Sequence, residues 1–219
     1  MALKKINAVI FDLDNTLYNE EKFYYQYFEI FCKSFNYSFK KFLLEFNIKK
    51  EIFKNDILKN ALIKIKKYNR VNHNKSFKLL ITFNFKIELF KGVLKTFDFL
   101  KKNKIKIGIL TNGTVKIQKK KIDKLRIKNK IDQIIFAGNF KKQKPFKYSF
   151  IKIIKLLKVK PENTIFVGDN YNTDILGAKN LNLFTIHYSK KKRIDKNVDK
   201  VALNFSNVKK ILEEFTTYN

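Results

Sequence analysis

Short apolar runs alternate with longer amphipathic stretches along most of this chain, and this alternation restricts the fold more than any other feature. The runs have the length of buried strands, and the stretches between them have helical spacing. The pattern predicts βαβ units and a mostly parallel sheet covered by helices on both faces. The predicted strands are residues 6–11, 105–110, 131–137, 164–167, 183–187 and, with a weaker pattern, 200–205. The predicted helices between them are residues 93–102, 115–126, 147–158 and 174–181.

Residues 17–89 interrupt the alternation, because they contain no comparable strand pattern. Apolar and aromatic residues recur there at helical spacing, as in "EKFYYQYFEIFCKSF" and "EIFKNDILKNALIKIKKY". We interpret most of these aromatic residues as core packing. The segment is predicted to be an inserted all-helical cap, and residues 1–16 and 90–219 are predicted to form one α/β core. The insert begins directly after the first strand, at the strand ends where ligands of open α/β sheets bind.

The chain has the size and composition of a soluble protein with a core of its own. Of its 219 residues, 45% are hydrophobic, and the longest run near the N-terminus without charged or strongly polar residues is 8–11. That run is far too short for a signal peptide or a membrane span, so we expect a cytoplasmic protein with no membrane partner. The single cysteine, Cys32, excludes an internal disulfide and a multi-cysteine zinc site, and its aromatic surroundings predict a buried, inert thiol.

The formal net charge of +29 predicts attraction to anionic ligands. Lys and Arg together number 48, but only three are arginines: Arg70, Arg126 and Arg193. Specific recognition of phosphates and bases favours the planar fork of Arg, so we do not expect specific nucleic-acid binding. A basic, non-catalytic protein that binds nucleic acid or another polyanion is the alternative hypothesis. The basic run at residues 190–193 is interpreted as a solvated loop.

Two acidic residues, Asp12 and Asp14, follow the first predicted strand in "VIFDLDNTLY". Side chains two positions apart in an extended segment point to the same side, so the two carboxylates are expected to share one volume. Carboxylates about 4 Å apart repel by about 4 kcal/mol at an effective dielectric of about 20. A cation is therefore required, and hard oxygen ligands favour Mg²⁺. Taken alone, the pair is equally consistent with the ordinary polar end of a strand.

Polar residues also follow the second predicted strand and precede a later helix. In "GILTNGT", Thr111 offers a hydroxyl group, and Asn112 and Gly113 offer backbone N–H groups at the start of a helix, where phosphate oxygens bind. In "KQKPFKYSF", Pro145 favours an extended conformation for Lys144, just before a helix. A lone lysine carries little information in a lysine-rich chain, so Lys144 is a candidate site residue only because of its position before Pro145.

A further pair of acidic residues, Asp169 and Asp174, follows the fourth predicted strand in "TIFVGDNYNTDILGAKN", where Gly168 permits a tight turn. Asp174 by itself would also fit an ordinary helix N-cap. The ordered set "DLDNTLY", "TNG", "KP" and "GDNYNTD" resembles the four motifs of the haloacid dehalogenase superfamily of hydrolases. The resemblance covers nearly the whole chain, and the helical insert falls where that family carries its smaller type of cap. It implies a Rossmann-like, three-layer core around a parallel sheet.

The resemblance assigns the chemistry to the acidic residues and to one lysine. It implies that Asp12 attacks phosphorus and becomes an aspartyl-phosphate. Asp14 would protonate the leaving alkoxide and then take a proton from the attacking water. The resemblance also implies a Mg²⁺ cofactor held by Asp12, Asp169 and the backbone carbonyl of Asp14. Lys144 would add a second positive charge beside the phosphoryl group.

The remaining motif residues have supporting roles by the same resemblance. Thr111, Asn112 and Gly113 are expected to bind the phosphoryl oxygens of the substrate. Asn170 and Asp174 are expected to orient Lys144 or the water molecules around the metal.

Membership of such a family leaves the reaction open among dehalogenases, phosphonate hydrolases, phosphomutases and phosphatases. Similar dehalogenases lack the second acid of the first motif, so Asp14 favours a phosphate ester. A phosphonate hydrolase would need a Schiff-base lysine in the cap, and a mutase would differ mainly in how the cap excludes water. We interpret the chain as a phosphatase acting on a small phosphorylated metabolite such as a nucleotide, phosphoglycolate or a sugar phosphate. His73 and His187 have no metal-ligand spacing and are not expected to bind a metal.

Overall fold

A computed structural model of the chain describes residues 5–54, 56–189 and 198–216. The basic run at 190–193, interpreted above as a solvated loop, lies outside these residues. The chain divides into two units. The core unit comprises Met1–Tyr18 with Glu88–Asn219, and the helical unit comprises Asn19–Ile87.

This division differs from the predicted insert of residues 17–89 by two residues at each end. Tyr18 forms isolated β-bridges with Asp14 and with Leu89, so both ends of the predicted insert pair with each other and with the first motif. These pairings place the junction residues in the core unit. The function of the helical unit as a cap stays a prediction.

The described residues of the helical unit contain five helices: α1 (Glu20–Ser34), α2 (Phe39–Glu45), α3 (Ile48–Glu51), α4 (Ile57–Lys64) and α5 (Arg70–Thr82). Each helix is preceded by a polar residue whose side-chain oxygen accepts a hydrogen bond from the backbone N–H three residues later, which stabilises a helix start. These capping residues are Asn19, Ser38, Asn47, Asp56 and Asn69.

Aromatic side chains form the interior of the helical unit. Phe28 and Phe31 on α1 are fully buried, and their ring centroids lie 5.6 Å apart in an edge-to-face arrangement, a geometry that aromatic pairs prefer. Phe42 of α2 packs against both rings. The prediction that most aromatic residues of this segment pack in a core is confirmed, although four of the described ones are exposed: Tyr25, Phe53, Tyr68 and Phe77. Cys32 is buried among them as predicted, and burial raises the pKa of its thiol to about 12.

The described residues of the core unit contain a six-stranded sheet: β1 (Ala8–Phe11), β2 (Lys106–Thr111), β3 (Gln133–Phe136), β4 (Thr164–Gly168), β5 (Phe184–Tyr188) and β6 (Lys200–Ala202). Every strand pairing is parallel, and the order across the sheet is β3-β2-β1-β4-β5-β6. All four residues of β1 are buried, as expected for a central strand covered on both faces. The predicted parallel α/β fold is confirmed.

The helices of the core unit are α6 (Val93–Lys102), α7 (Val115–Leu125), α8 (Lys147–Leu157), α9 (Leu176–Lys179) and α10 (Phe205–Glu213). Helix α6 has its predicted bounds. Helices α7 and α8 each end one residue earlier than predicted, because Arg126 (φ 55°) and Lys158 (φ 53°) adopt the left-handed conformation that often ends a helix. No helix among the described residues is both long and apolar enough to span a bilayer.

The segment after β4 differs most from the prediction of one helix over residues 174–181. A π-helical turn at Tyr171–Ile175 precedes α9. The side chain of Asn170 accepts hydrogen bonds from the backbone N–H groups of Asn172 and Thr173, so the turn begins directly after β4. Asp174 is therefore inside this turn and is not its N-cap.

Candidate active site

The carboxyl ends of three neighbouring strands bring motif residues to one edge of the sheet. Strand β1 pairs in parallel with both β2 and β4. Asp12 directly follows β1, Thr111 is the last residue of β2, and Asp169 directly follows β4. Since parallel strands end at the same edge of a sheet, where ligands of α/β folds bind, this edge is the candidate site.

Lys144 joins two buried carboxylates at this edge. Its Nζ atom lies 2.5 Å from Oδ1 of Asp12 and 2.7 Å from Oδ1 of Asp174. The relative side-chain exposures are 2% for Lys144, 8% for Asp12 and 1% for Asp174, so water does not screen these contacts. Burial alone would lower the pKa of Lys144, but the two carboxylates outweigh it and raise that pKa above its ordinary value. Lys144 therefore carries a positive charge throughout the neutral pH range.

The carboxyl group of Asp12 has a strongly shifted pKa. Burial raises this pKa to about 7, with Lys144 acting in the opposite direction and the negative charges of Asp174 and Asp14 adding to the rise. One ammonium group thus does not offset the burial of the Asp12 carboxyl group together with its anionic neighbours. A further positive charge is needed to keep Asp12 fully ionised at neutral pH.

Asp12, Asp169 and Asp174 form an acidic cluster, in which one carboxylate oxygen of each residue lies within 4.8 Å of the others. Carboxylate oxygens are the ligands that Mg²⁺ prefers, and the pKa of Asp12 indicates a deficit of positive charge, so these residues fit a divalent cation. The cluster contains Asp12 and Asp169, which were predicted as ligands. It also contains Asp174, which was predicted only to support them, whereas the Asp14 side chain is not part of it. The contribution of the Asp14 backbone carbonyl stays a prediction.

Asp174 also holds the turn that follows β4. Its Oδ2 atom accepts a hydrogen bond from the backbone N–H of Asn170 at 3.1 Å. A Cβ atom at Gly168 would lie 2.4 Å from the same oxygen, so glycine is the residue that leaves room for this carboxylate. Asp174 contacts Lys144 directly, in line with its predicted orienting role, whereas the side chain of Asn170 caps the π-helical turn.

The carboxylate of Asp14 contacts α7 instead of Lys144. Nζ of Lys121 lies 2.5 Å from Oδ1, and Nε2 of Gln118 donates to Oδ2 at 2.6 Å. The hydroxyl group of Tyr18 also donates to Oδ1. Burial alone would raise the pKa of Asp14, but Lys121 and the three hydrogen bonds outweigh it and hold that pKa below its ordinary value. Asp12 and Asp14 are therefore paired with different lysines.

Thr111 and Asn112, which were predicted to bind phosphate, form hydrogen bonds with the protein backbone. The hydroxyl group of Thr111 donates to the carbonyl oxygen of Asn112 at 3.1 Å. The side chain of Asn112 is paired with the backbone of Lys144, since Nδ2 donates to its carbonyl oxygen at 3.0 Å and Oδ1 accepts from its N–H at 3.1 Å. Gly113 has φ of 90°, a conformation that favours glycine. Asn112 therefore fixes the segment that carries Lys144, and its predicted phosphate contact is through the backbone N–H.

The sequence interpretation missed Lys121, Gln118 and Tyr18 as neighbours of Asp14. A usable signal lies in α7, where Gln118 and Lys121 are three residues apart on the face that also contains buried Ile117 and Ile122. Polar residues on the buried stripe of an amphipathic helix need partners, because an unpaired buried polar group is costly.

His187 was also missed as a neighbour of the site. Its Nε2 atom donates to the backbone carbonyl oxygen of Asp169 at 2.9 Å. This hydrogen bond fixes the backbone of Asp169, which belongs to the acidic cluster. Neither His187 nor His73 belongs to that cluster in the described part of the chain, and His73 is paired with Asp56.

The comparisons with known proteins agree with this geometry. A family model described as haloacid dehalogenase-like hydrolase matches residues 9–188, which include every motif residue discussed above.

Two curated relatives match over most of their length. The chain is 29% identical over 218 residues to a protein named glyceraldehyde 3-phosphate phosphatase from Methanocaldococcus jannaschii, with 90% of this chain and 91% of the relative covered. It is 27% identical over 196 residues to pyrophosphatase PpaX of Bacillus mycoides, with 84% of each protein covered. Among solved structures, the HAD-hydrolase YfnB of Bacillus subtilis bound to magnesium has a TM-score of 0.75 at 17% identity, covering 96% of this chain and 100% of YfnB. That likeness concerns the fold alone.

Proposed function

Because the chain belongs to the haloacid dehalogenase-like hydrolase family, we propose that it is a Mg²⁺-dependent phosphatase that hydrolyses a small phosphorylated metabolite through an aspartyl-phosphate intermediate. The observation that carries the proposal is the buried ion pair of Lys144 with Asp12 beside the acidic cluster. Phosphoryl transfer requires mainly positioning and charge compensation from a protein. These residues supply the positioning, and a cation held by the cluster would complete the charge compensation.

Asp12 is the proposed nucleophile. Lys144 binds Oδ1 of Asp12, which fixes the carboxylate and leaves Oδ2 to attack phosphorus. The bond from Oδ2 to phosphorus forms while the bond from phosphorus to the ester oxygen breaks. The Lys144 ammonium group stabilises the negative charge of the phosphoryl oxygens during this displacement.

Asp14 is assigned both proton transfers. Its donors favour the carboxylate in the free protein, so its protonated form has to arise with the anionic substrate bound, because a nearby negative charge raises a carboxyl pKa. In that form it gives a proton to the leaving alkoxide, which departs as an alcohol. As a carboxylate it then takes a proton from the water that attacks the phosphorus of the aspartyl-phosphate. Inorganic phosphate leaves, and Asp12 is regenerated with its electron pair on Oδ2. A halide needs no such proton, so the presence of Asp14 favours phosphate esters over haloacids.

The residues proposed to hold the cation are Asp12 and Asp169, with the backbone carbonyl of Asp14, and Asp174 lies in the same cluster. When bound, Mg²⁺ supplies positive charge for the phosphoryl oxygens and for the ionised form of Asp12. The raised pKa of Asp12 supports this assignment, because the described residues alone leave Asp12 short of positive charge.

A small anionic phosphate compound is the proposed substrate class. The relatives are named for glyceraldehyde 3-phosphate and for pyrophosphate, and the net charge of +29 attracts anions. We therefore expect the substrate to be found among triose phosphates, phosphoglycolate, pyrophosphate, sugar phosphates and nucleoside monophosphates. Release of inorganic phosphate from such a panel identifies it.

The test of the activity uses p-nitrophenyl phosphate and that panel, with Mg²⁺ and with EDTA. Wild-type protein should hydrolyse p-nitrophenyl phosphate only with Mg²⁺, and Asp12→Asn should be inactive. Asp123→Asn is the matched control, because Asp123 is exposed on α7 and the change removes the same charge. Robust hydrolysis by Asp12→Asn, or no phosphate release by wild-type protein from any compound, would contradict the proposal.

A further inference from the structure

A buried hydrogen-bond network connects Asp14 to helix α7. We propose that Lys121 and Gln118 are positioning residues that hold the Asp14 carboxylate in place for proton transfer to the leaving group. The inference rests on the proposed function, because Asp14 is the residue assigned there to the proton transfers. It deepens that function by naming residues that act through Asp14 without being assigned any contact with substrate.

The donors around Asp14 restrict which oxygen is available. A carboxylate has about four acceptor positions, two on each oxygen. Oδ1 accepts from Lys121 and from Tyr18, and Oδ2 accepts from Gln118, all within the described residues. The remaining acceptor position is therefore on Oδ2. The network selects Oδ2 as the atom that carries the transferred proton.

Lys121 is poorly explained as a stabilising residue alone. Its side chain is 3% exposed, and the Asp14 side chain is 21% exposed. Burying an ion pair costs desolvation energy that the attraction often fails to recover, so such pairs are weak evidence for stability. The ammonium group also lies 5.4 Å from the ring centroid of Tyr18, which adds a second fixed contact. Because the Lys121 ammonium group is itself held in place, it fixes the position of the Asp14 carboxylate.

Gln118 links Asp14 to the predicted phosphate contact. Its Nε2 atom carries two hydrogens, and it lies 2.6 Å from Oδ2 of Asp14 and 2.6 Å from Oγ1 of Thr111. Because the Thr111 oxygen accepts from Gln118, the hydroxyl hydrogen of Thr111 stays directed at the carbonyl oxygen of Asn112. One amide group thus fixes the distance between the proton-transfer residue and a hydroxyl group expected to bind the phosphoryl oxygens.

The test compares esters whose leaving groups differ in their need for a proton. The variants are Lys121→Met and Gln118→Leu, which remove the donors and shorten each side chain by one heavy atom. The measured quantity is kcat/KM for aryl and alkyl phosphates of increasing leaving-group pKa, because kcat/KM reports the steps up to departure of the leaving group. We expect losses of about 100-fold for alkyl phosphates but less than about 5-fold for p-nitrophenyl phosphate, with KM changed by less than about 3-fold.

Two controls separate positioning from a general effect on the fold. Lys116→Met removes the same charge from an exposed position of α7 and should match wild-type protein for every ester. In a background of Asp14→Asn, adding Lys121→Met should cause no further loss on alkyl phosphates, since both changes act through the same carboxylate. If Lys121→Met does not fold, Gln118→Leu provides the same test without a change in charge.

The outcomes distinguish this inference from the proposed function. Equal losses for all leaving groups in both variants would overturn the positioning role while leaving the phosphatase activity intact. Additive losses in the Asp14→Asn background would also overturn it. Wild-type protein that hydrolyses no ester in the presence of Mg²⁺ would overturn the proposed function, and this inference with it.

Discussion

Replacing Asp12 with Asn is expected to stabilise the metal-free protein at alkaline pH, although by the proposed function the same change should abolish hydrolysis. The pKa of Asp12 is about 7 in the folded protein, against an ordinary value of 3.8. Between these pH values the folded state keeps a proton that the unfolded state has released, so stability falls as pH rises. Above pH of about 7 both states are deprotonated, and the loss is complete. Asn has no proton to lose, so the variant escapes this loss.

The expected magnitude follows from the same two pKa values. The difference between 3.8 and about 7 corresponds to about 4 kcal/mol, at about 1.4 kcal/mol for each unit of pKa. Asp12 is 8% exposed, so water does not screen this effect appreciably. In EDTA, the stability difference between Asp12→Asn and wild-type protein should be small near pH 4 and should reach about 4 kcal/mol at pH 8.

The assay is urea unfolding followed by far-ultraviolet circular dichroism at several pH values, with EDTA and with excess Mg²⁺. Mg²⁺ should stabilise wild-type protein and not the variant, because a ligand stabilises only a protein that binds it. Asp123→Asn should show no dependence of this kind, since Asp123 is exposed. A variant that is no more stable than wild-type protein at pH 8 in EDTA, or a difference that does not change with pH, would refute the reasoning.

Two further predictions concern the turn after β4 and the helical unit. Gly168→Ala should lower kcat by about 100-fold, because its Cβ would lie 2.4 Å from Oδ2 of Asp174 and would displace the carboxylate that holds Lys144. Activity close to that of wild-type protein would contradict this prediction, since the carboxylate would then have moved without affecting Lys144. The thiol of Cys32 has a pKa raised by burial to about 12, so it should resist a disulfide reagent at pH 8 in the folded protein and react fully in denaturant. Rapid labelling of the folded protein would contradict the burial of Cys32. The labelled thiol is identified without ambiguity because the chain has one cysteine.

The strands and the longer core helices were predictable because their apolar residues follow a regular period. Helix α6 has the predicted bounds, and every predicted strand overlaps an observed one. The errors occur at the ends of elements and after β6, where the predicted strand over residues 200–205 ends at Ala202 and the unpredicted helix α10 begins at Phe205. Arg126 and Lys158 end α7 and α8 in a left-handed conformation, but Arg and Lys have no preference for that conformation that a sequence pattern would show. The π-helical turn at Tyr171–Ile175 depends on capping by Asn170, which periodicity also does not report.

The motif residues of the candidate site were identified from the sequence, whereas its neighbours on α7 were not. Asp12 and Asp169 directly follow β1 and β4, and their convergence follows from the parallel order of the sheet. Lys121 and Gln118 reach the same region from the buried face of α7. The sequence is so rich in lysine that composition could not distinguish Lys121. Its position among the buried residues of an amphipathic helix does distinguish it, as a polar residue that must have a partner.

The charges of the described site residues support the proposed divalent cation independently of the family. The described residues of the site contribute four carboxylates and two ammonium groups: Asp12, Asp14, Asp169 and Asp174 against Lys121 and Lys144. With every group ionised, the site has an excess of two negative charges, although the whole chain carries a net charge of +29. Burial raises the pKa of Asp12, and the negative charges of Asp174 and Asp14 add to the rise while Lys144 opposes it. One divalent cation would remove the excess and allow Asp12 to ionise, while the positive surface draws the phosphorylated substrate towards the protein.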